Sequence, residues 1–284
     1  MGGFITKMRT RVWAGLCAAI LIVMASGIAV KAEGEETKEL PFPNAVEVTE
    51  TTFPDAQIRK AIRDYVYVDD DCKVYINPED VEYLFFEDEV ADINNREDID
   101  FVIHCGDLTD TGTTKEFEWS RDILTGLRYP FVALVGNHDF LGVGDQTYCV
   151  MYGSMDFSFI ANRVKFVCLN TNATEYDYMA AVPNFDYMEE EIIKDSANFD
   201  RTIVVMHAPP YSDQFNNNVC KAFRSYLDFF PGLMCCVYGH NHNDKVDDIY
   251  EDGLIFYGID CALHRNYRIM TITPDGYEME QIYY

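Results

Sequence analysis

Basic residues are scarce in this sequence, which has 22 Lys and Arg against 48 Asp and Glu and a formal net charge of −26. A negative field of this size repels nucleic acid and anionic membrane surfaces. The shortage of positive charge therefore argues against a protein that grips a nucleic acid polymer. It is compatible with a small substrate that is drawn in by bound cations.

Several familiar signatures are also missing. The sequence has no P-loop, no dinucleotide-binding glycine fingerprint, no Ser/His/Asp triad pattern, no internal repeat and no C-x-x-C pair. Eight of the nine cysteines follow residue 32, and several of them lie inside apolar, strand-like runs, where cysteine usually serves as a small buried hydrophobe. A disulfide framework stays open as the alternative, although a domain of this length does not need one.

The N-terminal residues have the pattern of an export signal. Lys7, Arg9 and Arg11 precede an uncharged and mostly apolar run over residues 12–30. The following residues allow cleavage after Ala32, so residues 1–32 are interpreted as a signal peptide of the bacterial type. The sequence therefore predicts an exported protein, secreted or held at the cell surface. An uncleaved membrane anchor is the alternative, and only in that case is a membrane partner expected.

Residues 33–41 form an acidic linker, and residues 42–82 are interpreted as a small separate unit. A helix-entry pattern with a proline precedes an amphipathic stretch over residues 56–65, which predicts a helix. This unit resembles the short leader segment found ahead of leucine-rich repeats in bacterial surface proteins. Such leaders often carry a calcium loop of alternating aspartates. Here Cys72 replaces the expected glycine, and Pro78 occupies the closing acidic position, so a solvated acidic turn is expected instead.

From residue 83 onward, helical and strand-like patterns alternate. Hydrophobic residues make up 48% of the chain, which is enough for a sizeable core. Buried strands are predicted at residues 100–105, 131–135, 157–160, 164–169, 202–206 and 233–238, helices at 83–94, 115–127, 185–199 and 219–230, and short strands at 254–258, 267–272 and 277–284. This order predicts a layered α/β sandwich.

Four polar clusters follow the ends of these strands, where α/β folds place their sites. The clusters begin at Gly106-Asp107, Gly136-Asn137-His138, His207-Ala208 and Gly239-His240-Asn241-His242, and they contain four of the six histidines. One carboxylate, one amide oxygen and several imidazoles form a mixed nitrogen and oxygen donor set. That set favours Mn, Fe or Zn over Ca or a thiolate zinc site.

With these clusters in this order, residues 83–284 resemble the calcineurin-like metallophosphoesterase family. The resemblance implies a four-layer α/β/β/α sandwich with two divalent metal ions. It implies that Asp107 bridges both metals and that His138 is the catalytic histidine, oriented by Asp110 or Asp139. The implied ligands of one metal are Asn137, His207 and His240, and His242 would bind the other. The implied reaction is hydrolysis of a small phosphomonoester or phosphodiester by attack of a metal-bridged hydroxide.

One family motif is not found. The family opens with a strand that ends in Asp-x-His, whose two residues bind the first metal. Asp69 and Asp71 follow an apolar run and are tentative substitutes, and the alternative is that the motif is absent. Two functions therefore remain open: an exported metal-dependent phosphoesterase, or a catalytically impaired binding or structural protein of the cell surface on the same fold.

Other polar residues carry weaker expectations. His104 lies inside an apolar strand and is expected to be structural. His264 is expected in a surface loop, with substrate contact as the alternative. Asn170, Asn172 and residues 211–218 follow strands on the presumed active face and are treated as candidate substrate-shaping residues.

Overall fold

A computed structural model of the chain describes the backbone of residues 46–47, 66–68, 74–76 and 82–284, with burial and side chains from residue 86. The chain divides into two compact units, Met1–Ala91 and Asp92–Tyr284. The described part of the first unit contains strands β1 (Val46–Glu47), β2 (Val66–Val68) and β3 (Val74–Ile76), which form an antiparallel sheet in the order β1-β3-β2. The predicted signal peptide, the helix at residues 56–65, Asp69 and Asp71 lie outside the described residues.

The remaining elements follow in chain order. The helices are α1 (Glu82–Asn95), α2 (Thr114–Leu124), α3 (Gly144–Tyr152), α4 (Phe185–Ile193) and α5 (Cys220–Leu227). The strands are β4 (Val102–His104), β5 (Phe131–Ala133), β6 (Phe157–Ala161), β7 (Val164–Leu169), β8 (Arg201–Met206), β9 (Leu233–Tyr238), β10 (Lys245–Asp247), β11 (Phe256–Gly258), β12 (Asn266–Thr273) and β13 (Gly276–Tyr283).

The central element is a six-stranded sheet with the order β10-β11-β9-β8-β7-β6. Strands β7, β8, β9 and β11 are parallel, and the two edge strands pair antiparallel to their neighbours. Residues of β8 alternate between two cores, with Ile203 and Val205 in one core and Val204 and Met206 in the other. A strand that is buried on both faces needs apolar residues at every position, which explains the continuous apolar runs in the sequence.

Different layers cover the two faces of this sheet. Met188 of α4 and Phe223 of α5 pack on one face. On the other face, Ile103 of β4 and Ile272 of β12 pack against the sheet. Strands β4 and β5 form a parallel pair, and β12 and β13 form an antiparallel hairpin. The domain is therefore a mixed α/β fold with a central sheet, helices on one side and further strands on the other.

The first helices of the second unit support the β4–β5 pair. The Tyr148 hydroxyl of α3 donates to the carbonyl of Ala133 in β5 at 2.7 Å. Helix α2 begins with a capping box in which Thr113 and Glu116 satisfy each other's backbone N–H groups. Its buried Ser120 contacts the carbonyl of Leu108, in the loop that follows β4. These contacts hold the β4 and β5 loops in place.

Helix α3 and strand β10 were not predicted from the sequence, and neither were strands β1, β2 and β3 of the first unit. Helix α3 lacks a side-chain cap and begins at a glycine, so it carries no start signal, and β10 has only three residues. The prediction that the third helix extends to residue 199 is wrong, because α4 ends at Ile193 and Asp195 adopts a left-handed conformation with φ of 58°. Among the described residues, no helix is both long and apolar enough to cross a membrane.

Candidate metal centre

Three of the predicted metal ligands converge at the carboxyl edge of the strands. One ligand atom each from Asp107, His207 and His240 lies within 4.8 Å of the others. Nε2 of His207 is 3.2 Å from a carboxylate oxygen of Asp107. The amide oxygen of Asn137 lies 3.1 Å from Nε2 of His207 and 3.0 Å from Nδ1 of His240. The fold thus brings together residues that are up to 133 positions apart, from Asp107 to His240.

The tautomer of His207 shows why this group suits a cation. Its Nδ1 lies 2.8 Å from the carbonyl oxygen of Cys105, which can only accept, so Nδ1 carries the proton. In the neutral ring, Nε2 then offers a lone pair, and it faces the oxygens of Asp107 and Asn137. The contact between Nε2 and the Asp107 carboxylate does not depend on which way the amide group of Asn137 is oriented. Three lone pairs that point at one another require a proton or a metal ion between them.

His240 is held in the same way by a different partner. Its Nε2 lies 2.7 Å from a carboxylate oxygen of Asp213, so this nitrogen carries the proton and Nδ1 faces Asn137. A metal-binding histidine usually donates its other N–H to a carboxylate or a carbonyl, which fixes the ring and raises its basicity. No sequence pattern selects Asp213, since its contact with His240 arises only when two separate loops meet.

Electrostatics supports an ionised carboxylate at this centre. Burial opposes ionisation of Asp107, but the adjacent His207 and the His138 backbone N–H outweigh it and lower the pKa of Asp107 to about 2. Burial would also lower the pKa of His207, yet Asp107 and the Cys105 carbonyl raise it above its ordinary value. The charges of the two side chains are therefore strongly dependent on each other.

Two glycines allow the loops to approach closely. A Cβ atom on Gly106 would lie 2.4 Å from Nδ1 of His207, and one on Gly136 would lie 2.1 Å from a carboxylate oxygen of Asp107. Gly106 also has a positive φ of 101°. Non-glycine residues at the centre share this left-handed conformation, with φ of 55° at Asp107 and 64° at His240. Backbone of this kind costs free energy and persists where the surrounding structure enforces it.

His138 lies beside the cluster, and its side chain is 43% exposed. Its backbone N–H donates to Asp107 at 3.0 Å, so the loop position depends on the same carboxylate. Its Nδ1 is 2.8 Å from the carbonyl oxygen and 3.2 Å from a carboxylate oxygen of Asp110. Burial would lower the pKa of His138, but these oxygens and Asp107 raise it overall. The geometry leaves Nε2 as the ring nitrogen that can exchange a proton with a substrate.

Of the two carboxylates considered as partners of His138, Asp110 makes the contact. Asp139 is fully buried and instead accepts hydrogen bonds from Gly136, Leu108 and Thr109, with N–H distances of 2.8, 3.2 and 2.9 Å. Burial and the nearby Asp107 raise the pKa of Asp139 to about 7. Asp139 therefore joins the two loops that carry Asp107 and His138 rather than orienting the imidazole.

His242 lies outside the three-residue cluster. It is exposed and has a left-handed conformation with φ of 44°. Partial burial lowers its pKa, and the charges of Asp107, His207 and His240 also act on it, which shows that it lies in their neighbourhood. Its role as the ligand of a second metal stays a prediction, as does the role of Asp69 and Asp71.

The other polar candidates have structural surroundings. His104 is half-buried in β4, and desolvation lowers its pKa to about 4. Asn170 and Asn172 are 3% and 0% exposed, and the amide of Asn172 donates to the carbonyl of Val135 at 3.1 Å. Asn170 and Asn172 also hydrogen-bond to each other, and their role in shaping a substrate stays a prediction. His264 is exposed and pairs with Asp260.

Comparisons with known proteins agree with this geometry. The sequence profile of the calcineurin-like phosphoesterase family matches residues 76–244, more than half of the chain. A 3′,5′-cyclic-nucleotide phosphodiesterase of Nostoc is 26% identical over 147 residues, which cover 49% of this chain and 54% of that protein. The glycerophosphodiester phosphodiesterase GpdQ of Enterobacter lignolyticus is 27% identical over 156 residues, with the same two coverages. The chain thus spans about half the length of these curated relatives.

Two solved structures share the fold at low sequence identity. A dimetal phosphatase from Danio rerio superimposes with a TM-score of 0.53 and 13% identity, covering 77% of this chain and 94% of that one. GAP50, the anchor in the inner membrane complex of Plasmodium, gives 0.52 and 11%, covering 71% and 80%. Dimetal phosphatases of this class hold divalent metals, and the donor set at Asp107 fits such ions. By sequence profile, fold and the order of its site motifs, this chain belongs to the calcineurin-like phosphoesterase family.

Proposed function

We propose that this protein is a metal-dependent phosphoesterase. The observation that carries the proposal is the convergence of Asp107, Asn137, His207 and His240, whose lone pairs face one another across 3.0–3.2 Å. This donor group can hold the divalent metal ion that a metal-dependent phosphoesterase requires. The additional presence of His138, which is not needed as a ligand, favours catalysis.

Each residue has a distinct role in this proposal. Asp107, Asn137, His207 and His240 would hold divalent metal, which when bound supplies Lewis-acid stabilisation of the phosphoryl oxygens. His138 would stabilise negative charge on the substrate and hand a proton to the leaving oxygen. Asp110 keeps the proton on Nδ1 and thereby orients the ring. The raised pKa of His138 increases the fraction of the protonated form near neutral pH.

A small phosphodiester is the substrate class that we favour, with phosphomonoesters as the alternative. Both curated relatives are phosphodiesterases, and the matched region contains every proposed ligand. The formal net charge of −26 would repel an anionic substrate, so attraction must come from the metal centre itself. A small ester can reach that centre, whereas a nucleic acid polymer would face repulsion along its whole length.

Further features belong to the same proposal. We propose two metal ions, drawn from Mn, Fe and Zn, with Asp107 shared between them and His242 on the second. We also propose export through residues 1–32, a leader unit of the type found before leucine-rich repeats, and the complete four-layer sandwich.

The second candidate is a binding or structural protein that retains the fold and one metal. The exposed position of His242, outside the compact three-residue cluster, favours it. The missing Asp-x-His motif points the same way. GAP50 is described as an anchor, but at 11% identity it shares only the fold.

Hydrolysis of bis-p-nitrophenyl phosphate and p-nitrophenyl phosphate by the metal-loaded chain tests the proposal. We expect turnover that disappears with a chelator and returns with Mn, Fe or Zn, and that is faster on the diester. Elemental mass spectrometry on the same sample counts the metals. Turnover of either ester with metal bound supports the phosphoesterase, whereas bound metal with no turnover on either ester supports the binding protein.

A further inference from the structure

A second group of metal-binding side chains lies between β11 and β12 and shares no residue with the Asp107 centre. One ligand atom each from Asp260, Cys261 and His264 lies within 4.8 Å of the others. Nδ1 of His264 is 2.7 Å from a carboxylate oxygen of Asp260 and 3.8 Å from the sulfur of Cys261. The three residues thus offer one carboxylate, one thiol and one imidazole to a single point.

Hydrogen bonds to Tyr284 fix the turn that carries these residues. It contains a short 3₁₀ segment, Ala262–His264, followed by Arg265 in the left-handed conformation with φ of 53°. The backbone N–H of Tyr284 donates to the carbonyl of Arg265 at 3.1 Å, and the Arg265 guanidinium donates back to the carbonyl of Tyr284 at 2.8 Å. The backbone of this turn is therefore fixed before any ion binds, which reduces the entropy lost on binding.

Asp260 is held more firmly than His264. Its side chain is 10% exposed, and the buried amide of Asn266 donates to its second oxygen at 3.1 Å. The backbone N–H of Cys261 donates to the first oxygen at 2.9 Å. The side chain of His264 is 57% exposed and can rotate. Asp260 is thus oriented by a neighbouring donor, as metal ligands usually are, while His264 can adjust its position to an ion.

We infer that Asp260, Cys261 and His264 form a zinc-binding site separate from the Asp107 centre. Thiolate with imidazole and carboxylate selects a borderline-soft ion such as Zn²⁺ over Mg²⁺ or Ca²⁺. The ion replaces the proton between Asp260 and His264, and their 2.7 Å separation must widen to roughly 3.3 Å, which follows from bond lengths of about 2.0 Å. The exposed imidazole makes this movement. Solvent occupies the fourth position.

This site predicts proton release and a local stabilising effect. Zn²⁺ binding releases the proton of the Cys261 thiol, while coordination through Nδ1 leaves the imidazole proton of His264 on Nε2. Because the turn precedes β12 and pairs with the end of β13, an ion bound there ties the final hairpin to β11. Binding to the folded state alone raises the melting temperature as the zinc concentration increases.

Titration of the full, metal-stripped chain with Co²⁺ separates the two sites, since only a thiolate ligand gives a near-ultraviolet charge-transfer band. We expect this band in the wild-type chain and expect Zn²⁺ to abolish it by competition. Cys261→Ser should lose the band, whereas Cys149→Ser, which removes an exposed thiol in α3, should keep it. The Asp107 centre offers carboxylate, amide and imidazole donors, so Co²⁺ bound there gives no such band.

His264→Gln provides a second variant whose exposed side chain makes misfolding of little concern. We expect the Co²⁺ affinity, measured from this band, to fall at least tenfold in this variant. The rate of diester hydrolysis should stay within about twofold of the wild type. Absence of the band at saturating Co²⁺ in the wild-type chain, or its persistence in a folded Cys261→Ser variant, would overturn the zinc site. Either result leaves the phosphoesterase proposal untouched, because that proposal is read from turnover.

Discussion

The two candidate metal sites are assembled in different ways. The Asp107 centre takes its groups from loops that follow β4, β5, β8 and β9, whereas the second group comes from one five-residue segment, residues 260–264. In the first site, glycines let backbones approach to distances that no other residue allows. In the second, a single turn supplies the arrangement. The geometry of the distributed site therefore depends on the whole fold, whereas the geometry of the local site depends mainly on its own turn.

The partners of the histidines show the same contrast. His207 and His240 each place one nitrogen against a carbonyl or carboxylate, which leaves the other nitrogen facing further oxygens. His264 places Nδ1 directly against Asp260, as an ordinary exposed ion pair would. The Asp107 centre therefore has a lone-pair conflict that a cation relieves, and the second site must give up a hydrogen bond to bind one. We expect tighter binding at the first site.

The largest effect is expected from Asp107→Ala. The change removes the carboxylate that faces His207 and that accepts the backbone N–H of His138. We expect activity to fall by about 10³-fold and the metal content of this centre to be lost, because the ion supplies several kcal/mol of transition-state stabilisation. Diester hydrolysis and elemental analysis measure both. Asp260→Ala is the matched control, and equal losses in the two variants would contradict independent sites.

A change at His138 should separate catalysis from metal binding. Only the backbone of His138 contacts Asp107, so His138→Ala leaves the proposed ligands in place. We expect turnover to fall by about 10²-fold or more, the usual contribution of a general acid, with metal content unchanged. Asp110→Asn, which weakens the orienting contact, should lose less. Loss of metal in a folded His138→Ala variant would instead make His138 a structural part of the centre.

Alanine substitutions at two glycines separate the effect of a steric clash with a neighbouring side chain from the effect of backbone strain. Gly106→Ala places a Cβ 2.4 Å from His207, whereas the same change at Gly142 meets nothing within 4 Å, and both residues have positive φ. We expect both variants to lose about 1–2 kcal/mol of unfolding free energy from strain. Only Gly106→Ala should also lose about tenfold in metal affinity. Thermal unfolding and metal titration of the two proteins test this, and equal metal affinities would show that the loop yields.

The smallest effect is expected at Asp213. Its carboxylate holds Nε2 of His240 at 2.7 Å, and its side chain is 83% exposed, so Asp213→Ala removes little packing. We expect metal affinity to fall by about tenfold, the lower end of the range for partners of metal-binding histidines. Asp122→Ala, at a 71% exposed aspartate on α2, is the control for charge. A metal affinity equal to that of the control would mean that Asn137 alone orients His240.

Some elements of this structure could be predicted from the sequence, because in each case the signal lies in neighbouring residues. Residues 233–238 were predicted as a strand because burial on both faces leaves an uninterrupted apolar run. The Gly-Asp and Gly-Asn-His clusters were recognised because the glycine and the polar group are adjacent in sequence. Helix α3 was missed because it carries no capping signal, and α4 was predicted too long because the apolar spacing continues beyond the turn at Asp195.

Other relations could not be predicted, since they join residues far apart in the chain. Nothing in the sequence links Asp213 to His240, and nothing separates the role of Asp110 from that of Asp139. The structure separates them by burial, because Asp139 is enclosed among backbone N–H groups and Asp110 lies at the surface. Likewise, the pairing of Asp260 with His264 depends on a turn whose left-handed residue the sequence does not announce.

The amino-acid sequence specifies which chemical groups are present and where along the chain they occur: an acidic protein with carboxylate, amide and imidazole groups placed just after apolar strands. Which of these groups come into contact depends on the tertiary fold. Parallel strands bring their carboxyl ends to one edge, and glycines at positions 106 and 136 let His207 and Asp107 approach at that edge. Contact between distant residues depends on how whole layers pack, and no local pattern encodes that packing.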